Sequence, residues 1–299
     1  MTDFEVVAMA LAPDRHVAAF VDHYRSEGAA RVRVYFDAAE GPAPASVGLD
    51  PADLIVCDPA FWTARGGRPE AVEDRQRVVY ADAYSTLSAD WLLVVDIDEF
   101  MLGDVDMVAV LAAVPPERES VIFPSVEAVW RAGDDLNREY GSVLARRPYH
   151  GPFSDQFADL LYPKRGTFFV RGLLAHHMGK HAVRRGRPGL MVCIHESKRD
   201  GQPLKAARAR DPRTGKTAWL LHHDAISLEA WRAKWDRRLA SGDTAEMGRR
   251  RRRQQAAYAT ARTEGREAAL FADLYALRPW QARVLGALGM LAPIRLSSD

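Results

Sequence analysis

The start of the chain alternates between apolar runs and stretches with helical spacing. Residues 4–11 are mostly apolar, and residues 31–36 alternate charged and apolar side chains before Asp37, so both are predicted as strands. Between them, apolar side chains three and four residues apart predict a helix over residues 15–27. A short strand at 54–57 continues the series. Strands and helices in this order predict an α/β fold with a mixed, mostly parallel sheet flanked by helices.

A helix through Arg75 and Tyr80 is predicted to lead into the most apolar run of the chain. Residues 91–95, Trp-Leu-Leu-Val-Val, show no polar alternation, which predicts a strand buried on both faces, with a short buried helix as the alternative. The run ends at Asp96 and Asp98, which would share one face in an extended chain while the next residue, a glutamate, points elsewhere. Two such carboxylates at the carboxyl end of a central strand favour a divalent metal ion between them.

The second half of the chain has weaker patterns. Residues 131–165 are polar, aromatic and rich in Gly and Pro, which predicts long loops. Ser227 is predicted to cap a helix, and the chain from Thr244 onward is predicted to be helical. The remaining predicted elements are a helix at 106–114, strands at 120–126, 167–170, 180–184 and 190–195, a charged loop at 200–215 and a strand end at 219–223.

Composition indicates an ordinary globular protein. The chain has 299 residues, of which 47% are hydrophobic and 27% charged, enough for a sizeable core. Its N-terminus lacks the features of a signal peptide, and no run approaches the roughly 18 apolar residues of a membrane-spanning helix, so a cytoplasmic location is expected. Cys57 and Cys193 are too few and too far apart for a disulfide framework or a zinc-type site.

Charge is divided unevenly along the chain, although the formal net charge is +1. Residues 1–150 contain 13 Lys and Arg against 26 Asp and Glu, a net charge of −13, and residues 151–299 contain 28 against 14, a net charge of +14. The basic half could hold an anionic substrate, help the halves dock, or attract an acidic surface such as lipid or nucleic acid.

Two signatures of phosphate chemistry are incomplete. Gly215-Lys216-Thr217 ends like a P-loop, but Arg210 stands where the motif needs its first glycine, and no apolar strand precedes it. The acidic pair also resembles the opening of haloacid-type phosphatases, but there it lies on the first strand and Thr or Val follows, where this chain has Phe100. Neither class is supported.

The stretch Asp96-Ile97-Asp98-Glu99-Phe100, with the strand before it, resembles the DxD signature of GT-A-fold glycosyltransferases in the variant DxDEF. Further positions resemble the same family in the same order: His23-Tyr24 and Gly28, Gln76 and Tyr80, Gly179-Lys180 with Val183-Arg184, His195, and His222-His223 with Ser227 and Lys234. The matches run from residue 15 to residue 234. In these positions the chain resembles the bacterial glycosyltransferases of the family-two type.

This resemblance implies a metal and a nucleotide-sugar donor. Asp98, with Asp96 directly or through water, would hold Mn²⁺ or Mg²⁺. His222 would be a third ligand and would favour Mn²⁺, although His223, where the family usually has Tyr, leaves open which histidine is functional. The donor-binding side chains would be Asp37, near the base or ribose, and Gln76, Asp96, Lys180, Arg184, His195 and Lys234. An inverting transfer also needs a general base, for which Asp134 and Asp135 are the first candidates and Glu127 the next.

The basic cluster Arg249–Arg253 and the apolar residues 285–294 leave two interpretations open. One is a solvated helix and a packed core, and the other is a peripheral foot on an anionic membrane, which would suit a lipid-linked acceptor. No aromatic residues interleave with the arginines, so no nucleic-acid partner is expected.

The sequence therefore predicts a metal-dependent, hexosyltransferase-like and inverting glycosyltransferase of the cytoplasm or the inner face of its membrane. Its acceptor would be a glycan or glycolipid precursor. The predicted domains are a GT-A domain at 1–240, divided into a nucleotide-binding half (1–115) and an acceptor- and metal-completing half (116–240), and a helical extension at 241–299. The alternative is a non-catalytic nucleotide- or glycan-binding protein with a degenerate GT-A domain.

Overall fold

The computed structural model describes residues 2–103, 105–175, 177–240 and 248–296. Contacts between residues divide the chain into two units. The first unit comprises residues 1–124, 178–220 and 295–299, and the second comprises residues 125–177 and 221–294. Residues 258–290 share a hydrophobic core with residues 129–174, and the predicted domain boundaries at 115 and 240 stay predictions.

The elements of the described residues are as follows. The strands are β1 Phe4–Ala10, β2 Arg31–Phe36, β3 Leu54–Val56, β4 Trp91–Val94, β5 Glu99–Met101, β6 Ser120–Phe123, β7 Ser125–Arg131, β8 Leu144–Arg146, β9 Lys180–Arg184, β10 Leu190–Val192, β11 Ser197–Arg199, β12 Gln202–Pro203, β13 Ala207–Arg208, β14 Leu220–His222, β15 Ala276–Leu277 and β16 Leu291–Pro293. The α-helices are α1 Asp14–Ser26, α2 Pro59–Thr63, α3 Val72–Ser85, α4 Met107–Ala112, α5 Ser154–Leu161, α6 Leu228–Ala240, α7 Arg249–Thr263, α8 Glu267–Tyr275 and α9 Pro279–Ala287, and short 3-10 helices span Pro44–Val47 and Gly166–Phe168.

A seven-stranded sheet forms the centre of the first unit. Its order is β13-β6-β9-β4-β1-β2-β3. β1 pairs in parallel with β2 and β4, β2 with β3, and β13 with β6, while β9 runs antiparallel to β4 and β6. With α1 and α3 packed against it, this sheet confirms the predicted mixed, mostly parallel α/β fold.

β4 lies in the middle of this sheet and is buried on both faces, as predicted. Trp91 and Leu93 belong to one hydrophobic cluster, together with side chains of α1, and Leu92 and Val94 belong to another, together with side chains of α3. Because successive side chains of a strand point to opposite faces, both faces of β4 are covered. The chain therefore delivers residue 96 to the carboxyl edge of a well-packed sheet.

The second unit is built around its own core. β16, β8, β7 and β14 are neighbours in that order, and β15 pairs with β7. The core contains aromatic side chains from α6, α7 and α8, among them Trp231, Tyr258 and Phe271. None of the described helices is both long and apolar enough to cross a membrane.

Several segments differ from their predictions. Residues 167–170 were predicted as a strand but begin as a 3-10 helix, and the predicted loop at 131–165 contains β8 and α5. The strand predicted at 120–126 is divided at Pro124, whose ring nitrogen has no hydrogen to donate to a ladder. The described residues 248–296 form α7, α8 and α9 and the short strands β15 and β16, which pair with β7 and β8, whereas residues 244–247 and 297–299 of the predicted helical stretch lie outside the described residues.

Candidate functional site

The three carboxylates after β4 lie on a turn. The Glu99 N–H donates to the Asp96 carbonyl oxygen over 3.1 Å, and the Asp96 N–H donates to the Glu99 Oε2 over 2.8 Å. Residues 95–98 leave the strand geometry, so the prediction that Asp96 and Asp98 share a face of an extended chain is wrong. The turn buries Glu99 and leaves Asp96 and Asp98 half-buried, where a ligand can reach them.

α1 fixes this turn from the side. The Met101 N–H donates to His23 Nε2 over 2.9 Å, and the Tyr24 hydroxyl donates to the Glu99 carbonyl oxygen over 3.0 Å. Burial lowers the pKa of His23 to about 4, so the ring is neutral and can accept this hydrogen bond. The two residues that match the family pattern in α1 therefore hold the backbone of the acidic turn.

Lys180 lies inside the acidic cluster. Its Nζ is 2.7 Å from the Asp96 Oδ2 and 3.7 Å from the Glu99 Oε2, and its side chain is fully buried. Burial alone would lower the pKa of Lys180, but the charges of Asp96 and Glu99 outweigh it and the pKa is raised, so the ammonium is kept charged. The sequence predicted a phosphate contact for Lys180 and gave no sign of this ion pair.

The formal charges of the cluster do not cancel. Asp96, Asp98 and Glu99 carry three formal negative charges and Lys180 carries one formal positive charge, so carboxylates outnumber the cation among these four side chains. Gln76 also donates to the Asp96 Oδ1, over 3.0 Å, so each oxygen of Asp96 already accepts a hydrogen bond. The predicted role of Asp98 and Asp96 as ligands of a divalent cation stays a prediction. Within the described residues, no group of three or more His, Cys, Asp or Glu side chains is placed to hold a metal ion.

Asp37 follows β2 at the same edge of the sheet. It is bound by Arg75, whose Nε lies 2.9 Å from its Oδ2, and by Arg68 at 3.0 Å. Arg75 and Gln76 are consecutive residues of α3, so one turn of this helix reaches both Asp37 and Asp96. The predicted donor-binding residues Asp37, Gln76 and Asp96 are thus linked by the start of α3.

A cavity of about 430 Å³ opens beside Asp37. Its lining residues are Asp37, Ala38, Ala39, Cys57, Pro59, Trp62, Thr63, Gly67 and Arg68. The indole Nε1 of Trp62 is buried and has no hydrogen-bond partner among the described residues. The cavity therefore combines an aromatic wall, a carboxylate and a guanidinium, a set that suits a heterocyclic base with its ribose.

Two further predicted donor contacts lie elsewhere in the first unit. Arg184 pairs with Trp91 at the amino end of β4, where it donates to the carbonyl oxygens of Arg118 and Val114. Lys180 instead lies toward the carboxyl end of the same strand. His195 donates through Nδ1 to the carbonyl oxygen of Gly179 over 3.0 Å, which ties it to the residue before Lys180.

Glu127, a candidate base, is buried in the second unit. Its carboxylate pairs with Arg146 and accepts hydrogen bonds from the backbone N–H groups of Leu174 and Ala175, at 3.0 Å from its Oε1. With these partners, both oxygens of the Glu127 carboxylate already accept hydrogen bonds. Its geometry is that of a structural residue, and the sequence gave no indication that Arg146 is its partner.

Asp134 and Asp135 lie in the turn after β7. The Asp134 carboxylate accepts the N–H of Arg131 over 2.8 Å, and the Asp135 carboxylate accepts the N–H of Asn137 over 3.0 Å. Asp134 is half-buried, whereas Asp135 is exposed. Both carboxylates keep an oxygen lone pair for a proton, and their role as a base stays a prediction.

Asp224 is the centre of an ion-pair cluster in the second unit that the sequence did not reveal. Its Oδ1 lies 2.9 Å from Arg251 and 3.2 Å from Lys234, and the Tyr275 hydroxyl donates to its Oδ2 over 2.5 Å. Burial would raise the pKa of Asp224, but Arg251, Lys234 and His222 hold it well below its usual range. Lys234, predicted to contact the donor, thus neutralises a buried aspartate.

The two candidate histidines differ in their surroundings. His222 lies near enough to Asp224 to influence its pKa, and His223 lies 3.5 Å from the Ser142 hydroxyl and against the Tyr140 ring. Both are buried. Asp98 belongs to the first unit and His222 to the second, and their predicted joint role as metal ligands stays a prediction.

No family model and no curated protein matches the chain. Among solved structures, it is similar to mannosyl-3-phosphoglycerate synthase from Rubrobacter xylanophilus, with 17% identity and a TM-score of 0.31 over 62% of this chain and 53% of that chain. It is also similar to glucosyl-3-phosphoglycerate synthase from Mycobacterium tuberculosis in complex with Mn²⁺, UDP-glucose and phosphoglyceric acid, with 14% identity and a TM-score of 0.30 over 62% and 57% of the two chains. The chain thus spans little more than half the length of these structures. At such TM-scores the function has to be derived from the site itself.

Proposed function

We propose that the protein is a metal-dependent glycosyltransferase of GT-A type that moves a sugar from a nucleoside-diphosphate donor to a glycan or glycolipid acceptor. The observation that carries this proposal is the acidic turn at the carboxyl end of β4, where Asp96, Asp98 and Glu99 outnumber Lys180 by two charges. Carboxylate oxygens at a ligand-binding edge are the ligands that a divalent cation with a bound diphosphate prefers.

The spacing of the two acidic positions supports a nucleotide donor. Asp37 follows β2 and Asp96 follows β4, with β1 between these strands. Neighbouring strands lie about 4.8 Å apart, so the two strand ends are separated by about 10 Å. A nucleotide could place its base in the cavity beside Asp37 and its diphosphate at the acidic turn.

The metal, when bound, would neutralise the charge of the leaving diphosphate. Asp98 would ligate it directly. Gln76 and Lys180 would orient the Asp96 carboxylate rather than touch the phosphates, since both already bind its oxygens. His195 would keep Gly179 and Lys180 in place.

The acceptor hydroxyl would be deprotonated by a carboxylate, and the stereochemistry would be inverting. Asp135 is the preferred base because it is exposed, followed by Asp134. Glu127 is the least suitable of the three candidates, since its carboxylate is held by Arg146 and two backbone N–H groups.

The proposal is tested by calorimetric titration of UDP, GDP, ADP and CDP into the protein at fixed Mn²⁺. We expect one or more of them to bind in a Mn²⁺-dependent manner and Asp98→Asn to remove that dependence. The variant should keep or slightly exceed the melting temperature of the parent, because it removes one of several repelling carboxylates.

Asp90→Asn is the matched control, because Asp90 immediately precedes β4 and the change removes the same charge from the opposite end of the strand. It should leave nucleotide binding unchanged. Unaltered Mn²⁺ dependence in Asp98→Asn would show that the acidic turn is not the metal site.

A second candidate function is nucleotide or glycan binding without turnover. The ion pair between Glu127 and Arg146 favours this second function, because it engages one of the three candidate bases. The two functions are separated by donor hydrolysis, which many transferases show slowly without acceptor. Mn²⁺-dependent binding without release of nucleoside diphosphate over hours, in the presence of candidate acceptors, would favour the binding protein.

A further inference from the structure

The second unit contains a cavity of about 630 Å³ that the proposed donor site does not use. This volume lies within the range of small-molecule sites. Its lining residues are Asp155, Asp159, Gly166, Thr167, Phe169, Val170, Leu174, Ala175, Gly248, Arg249, Arg250, Arg251 and Arg253. Apolar side chains thus form one part of the wall and arginines another.

The charged wall is strongly basic. Four arginines stand against two aspartates in this lining, and one of the four, Arg251, is paired with Asp224 outside it. Arg251 is held in place by Asp224, at 2.9 Å, and so forms a fixed part of the wall. Arg250 lies 3.4 Å from Asp155, but both side chains are largely exposed, and exposed pairs of this kind are weak enough to be exchanged for a ligand.

Basic groups outside the cavity extend the same positive region. Arg171 Nη1 lies 3.1 Å from His150 Nδ1. The pKa of His177 is lowered, first by burial and then by the charges of Arg171, His150 and Arg250. The positive charges around His177 repel one another. An anion bound among them would reduce this repulsion.

The backbone adds to this region. α7 is a helix of 15 residues that begins at Arg249, and its N-cap, Gly248, lines the cavity. The first N–H groups of a helix lack partners within the helix and carry a partial positive charge. Since Gly248 has no side chain to cover them, an anionic oxygen could approach these N–H groups and the arginine forks together.

We propose that this cavity binds the phosphate group of a small ligand whose organic part rests on Phe169, Val170 and Leu174. The three other arginines of the lining outnumber its two aspartates, and the oxygens of a phosphate match the planar donor fork of arginine. That the ligand is the sugar acceptor rests on the proposed function. The cavity then gives this acceptor a chemical class, a phosphate ester, which is either soluble or part of a lipid headgroup.

The test uses phenyl phosphate, titrated calorimetrically into the full chain in the presence of EDTA, with phenol as the uncharged control. EDTA suppresses any metal-dependent binding at the acidic turn. We expect phenyl phosphate to bind and phenol not to bind. The double variant Arg250→Gln/Arg253→Gln should weaken binding by about tenfold or more, the effect of losing hydrogen bonds to a charged group.

Arg252→Gln is the matched control, because it removes the same charge from the same helical turn at a residue outside the cavity lining. It should change the affinity less than about twofold, as a general charge effect would. If the loss of affinity per removed charge is the same in Arg252→Gln as in the double variant, the attraction is unspecific. That result would overturn the proposal.

Binding to vesicles distinguishes a lipid headgroup from a soluble phosphate ester. If phenyl phosphate does not bind but vesicles of phosphatidic acid and phosphatidylcholine do, with the same dependence on Arg250 and Arg253, the ligand is a lipid phosphate. No binding in either assay overturns the site. Asp98→Asn should leave phenyl phosphate binding intact, so a failed donor site and a failed phosphate site would be told apart.

Discussion

Lys180 stands between carboxylates that would otherwise repel each other, and its removal should be costly. Lys180→Met keeps the length of the side chain and removes its charge, which leaves the fully buried Glu99 without its nearby cation. We expect a loss of about 3–5 kcal/mol in the free energy of unfolding, the usual cost of breaking a buried ion pair. Urea unfolding measures this loss.

Two further variants complete this experiment. Adding Asp96→Asn to Lys180→Met should restore about 1–3 kcal/mol, the coupling expected for residues in direct contact. Lys198→Met, which removes a partly exposed partner of Glu196, should cost less than about 1 kcal/mol. Similar losses for Lys180→Met and Lys198→Met would mean that the buried pair contributes little.

His23 should make stability depend on pH. Its folded pKa is lowered by burial from 6.5 to about 4, so the unfolded chain takes up a proton between these values while the folded chain does not. Stability is therefore fully present above pH 6.5 and is lost as the pH falls toward 4. His23→Gln, which can still accept the Met101 N–H, should flatten this decline by up to about 1.4 kcal/mol per pH unit.

Unfolding free energies at pH 7, 6, 5 and 4.5 test this expectation. The variant loses ring contacts with Tyr24 and Phe100 and should be less stable at pH 7, so the slopes are compared rather than the values. His181, whose pKa is lowered to about 3 by burial, remains in both proteins and contributes equally. Parallel slopes would show that His23 is protonated in the folded state.

At the scale of elements, β9 is positioned by a close backbone approach at Gly179. This residue has a φ of +77°, and an added Cβ would lie 2.1 Å from the carbonyl oxygen of Phe123 and 2.9 Å from the Cα of Pro124. Both atoms belong to the backbone and cannot turn aside. We expect Gly179→Ala to destabilise the fold by about 2–4 kcal/mol, from strain and overpacking, and to move Lys180 away from Asp96.

Gly186, just after the other end of β9, provides the control. Its φ is +71°, but an added Cβ would meet no atom within 4 Å. Gly186→Ala should therefore cost about 1 kcal/mol, from backbone strain alone. Equal midpoints of thermal unfolding for the two variants would contradict the importance of the contact with Phe123.

Elements with a strong local pattern were predictable from the sequence. Residues 180–184 were predicted as a strand and form β9, and the apolar run at 91–95 was predicted to be buried on both faces. The acidic turn was located, but its shape was not, because hydrogen bonds from His23 and Tyr24 bend the chain at a sequence distance of about 75 residues. A local sequence pattern does not indicate contacts between residues that are far apart in the chain.

The same limit applies to the charged side chains. Glu127 was a candidate base, Lys234 a candidate donor contact and Arg251 part of a solvated cluster or membrane foot. In the structure, Glu127 pairs with Arg146, and both Lys234 and Arg251 pair with Asp224. Burial decides whether a charge serves chemistry or stability, and burial of an isolated charge in a polar stretch leaves no periodic signal.

At the scale of the whole molecule, the chain passes between its two units four times, after residues 124, 177, 220 and 294. A fragment of residues 1–240, the predicted GT-A domain, would lack α7 and α8, which supply Tyr258, Phe271 and Tyr275 to the second core. We expect its residues 125–177 to exchange amide hydrogens almost without protection, because partners of Trp130 are missing.

In the same fragment, residues 4–94 should remain protected, since the strands and helices of the central sheet are present. Hydrogen exchange followed by mass spectrometry reports both regions in one experiment. Full protection of residues 125–177 in the fragment would show that the second core forms without its C-terminal helices.

The four crossings between the units also affect how the chain folds during synthesis on the ribosome. Residues 125–177 emerge before α7 and α8 have been translated, so Trp130, Leu161 and Phe169 lack the core partners that these two helices supply until the ribosome has added roughly a hundred more residues. At about 5–20 residues per second this interval lasts on the order of 5–20 seconds. The nascent chain is thus a client for chaperones that bind exposed aromatic segments, and its yield in a cell should depend on them more than its final stability would suggest.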